Sequence, residues 1–263
     1  MSSSSFLPKL HFKQGIYPIF KQNLLGETKG WFWEILSTIA IPLSFYLAFG
    51  LGLRANISDV DGLPYMVFIT PGLVALTIQL EAYRTGAWGL WLSCRHHQTI
   101  HEYRIKPISM ADIILGEILS GFIIALLKGA LVGITLFLLL SNKPISLQNF
   151  LSFLSVMFPG AVLFTCLGAV TGVSFMRPDQ IAQSQAIVIT PLLYLGGLFF
   201  PVSRFPEWVF AWIKWLPTTA IFDGGRQAFL NGTPPTEYLI LLYSVAIPFF
   251  LFTVWYTEKK LKQ

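Results

Sequence analysis

The sequence predicts an all-α polytopic membrane protein with six transmembrane helices, and three observations predict it. Of 263 residues, 54% are hydrophobic and 12% charged, against about a quarter charged in an ordinary soluble domain. Apolar runs recur at the length a bilayer demands, because a hydrocarbon core of about 30 Å at about 1.5 Å per residue takes about 20 residues. The alternating pattern of a membrane β-barrel is absent, which leaves helix as the way to satisfy backbone polar groups in lipid. With 23 Phe, 8 Trp and 9 Tyr, the composition excludes a disordered chain, and nucleic-acid binding does not fit it. Cys94 and Cys166 have neither CxxC nor CxxH spacing and read as small core residues.

Residues 1–30 come first, as an N-terminal interface segment. A Ser-rich tip precedes Phe12, Ile16, Phe20 and Leu24 at i+4 spacing, with Lys13, Gln14, Lys21 and Gln22 between them. That spacing predicts an amphipathic helix lying in the membrane interface with Pro18 as a kink; a disordered tail is the alternative. The apolar run after it has no small-residue cleavage site, so it reads as a retained span rather than a signal peptide.

Six spans follow: Ile35 to Leu53, Gly62 to about Leu92, Ile113 to Leu140, Pro144 to Met176, Gln180 to Ser203, and Tyr238 to Thr257. With the N-terminus in the cytoplasm, inside segments carry eleven Lys and Arg and outside loops five. That excess places both termini in the cytoplasm, as an even number of crossings requires.

Two segments break the hairpin pattern. Residues 94–107 are charged and histidine-rich; Ile100 and Tyr103 give one helical face something apolar to dock on, while Arg95 and Arg104 face water or head groups. His97 and His101 stand at i, i+4 beside Glu102, a zinc-helix spacing, but without HExxH a docking helix for a cytoplasmic partner is the better reading. Residues 200–228 are too polar, and too often broken by Pro201, Pro206 and Pro217, to cross. Trp208, Trp212 and Trp215 suit the outer interface. Two short helices entering the outer leaflet without crossing, or an ordinary aromatic belt, are the two readings.

Ionisable side chains at mid-membrane cost about 2.5 to 3.5 kcal/mol each. Glu81 and Lys128 fall near the middles of the second and third spans, which predicts an ion pair between them, within one subunit or between two copies, with Arg84 one turn from Glu81 as a competing partner. A double charge swap tests such a pair. Gly129-Ala130-Leu131-Val132-Gly133 and Gly168-Ala169-Val170-Thr171-Gly172 match GxxxG and suggest close packing of the third span on the fourth.

Lys106-Pro107-Ile108-Ser109-Met110-Ala111-Asp112-Ile113-Ile114-Leu115-Gly116-Glu117 resembles the segment after the coupling helix in type-2 ABC exporter permeases, where a Pro-Ile-Ser-like turn precedes a Leu-Gly-Lys-like helix start. Gly196-Gly197-Leu198-Phe199-Phe200-Pro201, then Pro206-Glu207-Trp208, Leu216-Pro217-Thr218, Asp223 and Arg226, is similar to that family's re-entrant region before the last span. The likeness runs through the whole chain in span count and loop order. Its sequence matches are confined to those two regions and are closest to drug-resistance permeases and nodulation lipooligosaccharide exporters. Tyr103, Arg104 and Ile105 depart from the Leu-Leu pair common before the turn, and Glu117 stands where a basic residue is common.

The resemblance implies that residues 31–263 are a six-helix transmembrane domain of the inner (plasma) membrane. It implies a homodimer, each subunit docked through 94–107 on a separate ATP-binding subunit that holds the ATP and Mg. No cofactor is expected in this chain, which contains no G-x-x-x-x-G-K-[ST]. Its cargo would be amphipathic: a lipid-linked saccharide or a hydrophobic drug-like compound. A membrane-embedded enzyme is the rival from another class, but Glu81, Arg84, Glu117 and Lys128 supply no nucleophile-base pair or metal-ligand motif. A secondary transporter predicts an inverted repeat, and none is visible.

Overall fold

The structure is a computed structural model that describes residues 16–27, 30–51, 60, 62–96, 110–140 and 146–261. Among them the only strand-like feature is an isolated bridge between Val60 and Leu63. Among the described residues five helices are long and apolar enough to cross a membrane: Trp31–Phe49, Tyr65–Cys94, Asp112–Leu136, Leu147–Ser174 and Thr236–Lys260.

Helix α1 (Tyr17–Glu27) begins at the predicted interface segment. Ile16, just ahead of it, and Ile19 are buried, Phe20 and Leu24 are half-buried, and Lys21 and Gln22 are exposed, so the described part of the expected stripe faces the protein and Ile19 widens it. Pro18 does not kink it. The proline sits in the first turn, where its missing N–H is not needed. Phe12 lies outside the described residues.

Helix α2 (Trp31–Phe45) starts four residues before the expected span and runs into a π-helical turn, Tyr46–Leu51. Helix α3 (Tyr65–Trp91) continues as a π turn over Leu92–His96, and α4 (Met110–Leu140) and α5 (Leu147–Ser174) follow. Helix α3 is the centre of the subunit: 72% of its most apolar stretch is buried, against 17% for α2 and for the last helix.

The glycine motifs explain that centrality: the third and fourth spans do pack together, with Gly121 against Thr165 and the Phe122 and Phe158 rings 5.0 Å apart, but not through these motifs. Gly129 stands against Ile78, and Gly133 against Val74. Gly168 lies on the backbone of Tyr83 and Ala87, and Gly172 on the backbone of Ala87 and Trp91. Both motifs therefore pack on α3 rather than on one another. From Val74 to Tyr83 is nine residues, a rotation of about 180° at 3.6 residues per turn, so the two motifs grip opposite sides of α3. Removing the side chain lets each backbone come close.

The predicted crossing at Gln180–Ser203 is not a straight span. Helix α6 (Pro178–Ser184) passes into a π turn, Gln185–Ile189, and then α7 (Thr190–Leu195). Pro191 lacks an N–H and its ring displaces the preceding turn; the Thr190 hydroxyl bonds the Gln185 carbonyl at 3.1 Å. Apolar sequence continues to Phe200, but Gly197 at φ 94° turns the chain away.

Each proline of the 200–228 segment then opens an element. Pro201 precedes a single 3-10 turn, Val202–Arg204, Pro206 precedes α8 (Glu207–Ile213), and Pro217 is the first residue of α9 (Pro217–Asn231). Proline at a helix start loses no hydrogen bond and presets φ. Helix α9 is wedged between α5, where Ile221 meets Gly160, and α10 (Thr236–Leu261), where Tyr238 meets Gly224. Its C-terminal carbonyls are taken by the start of α5: Asn149 donates to the Phe229 carbonyl at 2.8 Å and Ser152 to the Gly232 carbonyl at 2.5 Å. By contrast α8 leaves Trp208 and Trp212 75% and 80% exposed, with Trp215 exposed just beyond it.

Candidate functional site

Three helices converge on one cluster of charge. Glu81 and Arg84 lie one turn apart on α3 and pair at 2.9 Å. Lys128 of α4 reaches Glu81 at 3.0 Å and Glu34 of α2 at 2.9 Å, and Arg84 reaches the same Glu34 oxygen at 3.3 Å. Two acids and two bases sum to zero formal charge, the condition under which ionisable groups are tolerated among apolar helices.

The structure thus places Glu81, Arg84 and Lys128 together, with Arg84 sharing Glu81 rather than displacing Lys128. Glu34 is the member the sequence reading missed. It stands just before the uncharged run that defined the first span, and only the actual start of α2 at Trp31 brings its first turn to the depth of the other three.

Glu117 is apart from this cluster. It is buried on α4, accepts from the Asn23 amide of α1 at 2.9 Å, and lies against Gly89 of α3. Asn23 also donates to Ser120 at 2.8 Å. Ile19 packs on Gly116, so from Ile19 to Asn23 helix α1 lies along the Gly116 to Ser120 turn of α4. A half-buried amide next to a buried acid is a signal that sequence alone did not flag.

A second buried charge organises the re-entrant region. Arg226 of α9 pairs with Asp223 at 2.8 Å, donates from Nε to the Phe68 carbonyl at 3.2 Å, and from Nη2 to the Gly197 carbonyl at 2.9 Å. Its guanidinium also sits 3.6 Å above the Phe68 ring. One side chain therefore ties α9 to the start of α3 and to the glycine turn after α7. Of the docking residues, Arg95 has only its backbone described, and His97, Ile100, His101, Glu102, Tyr103 and Arg104 lie outside the described residues.

Two grooves flank the ion cluster. One of about 830 Å³ runs between α1 and α3 and includes Lys21, Arg84 and Trp88. The other, of about 540 Å³, lies between α1, α2 and α4 and includes Leu24, Ile35, Leu127 and Leu131, with Glu34 and Lys128 in its wall. Ile124 lines both.

The sequence model of the ABC-2 type transporter matches residues 19–230, which takes in the ion cluster, the glycine tracks and the Arg226 staple. The chain belongs to the ABC-2 type transporter family. This permease is 27% identical over 224 residues to the inner membrane transport permease YadH of Escherichia coli K12, covering 84% of this chain and 86% of that one. It is 26% identical over 247 residues to nodulation protein J of Sinorhizobium fredii, covering 89% of each. With nodulation protein J of Rhizobium leguminosarum bv. trifolii the identity is 27% over 248 residues, covering 93% of each. The permease is the transmembrane subunit of an ABC exporter and is a multi-pass inner membrane protein.

Proposed function

We propose that the permease moves an amphipathic substrate, a lipid-linked saccharide or a hydrophobic drug-like compound, out of the cytoplasmic leaflet, driven by ATP hydrolysed in a separate ATP-binding subunit. The carrying observation is the family match over 19–230 in a chain whose sequence holds no phosphate-binding G-x-x-x-x-G-K-[ST]. Two permease copies and two ATP-binding subunits form the working unit in this reading, with both termini in the cytoplasm and segment 94–107 as the docking helix. Closure of the ATP-binding subunits displaces that segment as a rigid body, and α3, which leads directly into it, carries the displacement to the packed centre of the subunit. The re-entrant pair α8 and α9 closes the outer end of the path.

Purification of the permease with and without a candidate ATP-binding subunit tests this. Stable co-purification and nucleotide-dependent movement of a fluorescent amphiphile across vesicles is the expected result. Movement by the isolated permease, with no nucleotide-hydrolysing companion, sinks the reading. Multidrug efflux is the alternative for cargo, and competition between a lipooligosaccharide and a hydrophobic drug for transport separates the two.

A further inference from the structure

We propose that a third groove, of about 490 Å³ between α4 and the N-terminal part of α5, is the seat of one acyl chain of a bilayer phospholipid, held there as a structural part of the subunit. The groove opens where the two helices part. They are in contact at Gly121 and Thr165 and at the Phe122 and Phe158 rings. Beyond that contact α3 supplies the floor, through Thr70, Pro71, Val74 and Ile78. Phe229 of α9 joins the wall, its ring paired with that of Phe153 at 5.8 Å. The α4 wall contains Gly129, Ala130 and Gly133, and a methyl added at Gly133 would meet only Val74, at 3.6 Å. Small residues leave room here that side chains fill elsewhere.

Chemistry, position and shape together select the occupant. The described wall is apolar except for Thr70, whose hydroxyl donates to the Met66 carbonyl of its own helix at 2.7 Å, so nothing in it calls for water, an ion or a sugar. Leu127, Ile134 and Phe150 line the groove and are 61%, 62% and 41% exposed, on helices that span the bilayer, so hydrocarbon is the medium at its mouth. The walls run from Ile123 to Ile134 on α4 and from Thr70 to Ile78 on α3, about 12 to 16 Å of helix, which makes the mean cross-section about 30 to 40 Å². A strip that narrow takes an extended hydrocarbon chain and excludes a helix of a second copy, about 10 Å across. The polar side chains at the adjoining start of α5, Gln148, Asn149 and Ser152, bond the Phe229 and Gly232 carbonyls, so the site reads a chain and not a head group. That favours the surrounding phospholipid over a cargo chosen by its head. Lipid tails are as apolar as the groove, so the gain on entry is dispersion contact with side chains that otherwise border a void.

The test uses the permease with its ATP-binding subunits, without nucleotide, in phosphatidylcholine nanodiscs doped with a phosphatidylcholine that carries a photoactivatable diazirine on one acyl chain. Label on residues 123–134 and 150–154 is expected to exceed that on Ile240 and Leu251 of α10, which are 68% and 62% exposed and lie outside the groove, by at least about fivefold. Ala130→Leu, at an exposed position in the groove wall, is expected to cut the groove label at least about threefold and leave the α10 label unchanged. Equal labelling of the groove and α10 in the wild type overturns the proposal, whether or not the variant folds. Unchanged groove label in a folded Ala130→Leu protein overturns it as well. So does loss of the groove label on adding a lipooligosaccharide at the concentration of the probe, which marks a cargo seat, or a disulfide between two Ile134→Cys copies, which sets a second subunit over the groove.

Discussion

Lys128 of α4 touches both Glu34 of α2 and Glu81 of α3, so its loss leaves Arg84 as the one base of the cluster facing two carboxylates. Lys128→Met is expected to destabilise the permease by about 1 to 3 kcal/mol, below the cost of breaking a fully buried pair because Glu34 keeps a third of its side chain exposed. Against Glu81→Gln, thermal unfolding of the single and double variants should show a coupling of about 1 kcal/mol or more. A double charge swap of Glu81 and Lys128 should fail to restore stability, since it sets the new acid beside Glu34 and the new base beside Arg84. Restoration would show an isolated pair rather than a four-member cluster. Arg226 carries a second expectation at this scale. Arg226→Lys keeps the charge facing Asp223 but cannot reach the Phe68 and Gly197 carbonyls together, and a loss of about 2 kcal/mol in unfolding stability is expected. The partnership of Glu81 with Lys128 was readable because apolar surroundings make a charge conspicuous. Glu34 was not readable, because a charge at a helix start looks like an ordinary flank.

At the scale of elements, the close glycines divide into those with room and those without. Gly168→Ala puts a methyl into the backbone of Tyr83 and Ala87, whereas Gly133→Ala meets only Val74 at 3.6 Å. The first should lower the melting temperature and the folded yield. The second should leave them unchanged or raise stability by up to about 1 kcal/mol through helix propensity, and similar losses in both would refute the assignment of the two tracks. The outer turn of the re-entrant region offers another check. Trp208, Trp212 and Trp215 are exposed on or beside α8, and lipids brominated near the head group are expected to quench tryptophan emission in the wild type more than in a triple Trp→Ala variant. The long helices were legible from runs of apolar residues, since bilayer thickness sets their length. The partner of each GxxxG motif was not, because the motif encodes a close approach and leaves the other helix unnamed. Nor was the end of α7, where apolar sequence runs on past Gly197 and only the backbone turn stops the helix.

For the whole molecule, burial is concentrated on one helix. Hydrogen exchange of the permease in nanodiscs should be slowest along α3 and faster in α2 and α10, whose apolar stretches are 17% buried in the single subunit against 72% for α3. Comparable protection of α2 and α3 would show that a second copy covers α2 fully. The division between a covered centre and two open flanks was only partly visible beforehand: composition marks a span as apolar but cannot say whether lipid or protein meets it.

The backbone-to-backbone track of α5 on α3 has a mechanical corollary. On that side the backbones of Gly168 and Gly172 meet those of Tyr83 and Ala87 and axial translation by a fraction of a turn meets no side chain, whereas on the α4 side the side chains of Ile78 and Val74 seat over Gly129 and Gly133. A push delivered at His96 would therefore travel up the axis as a piston stroke, strained chiefly where Arg84 and Phe68 fasten the rod to its sleeve.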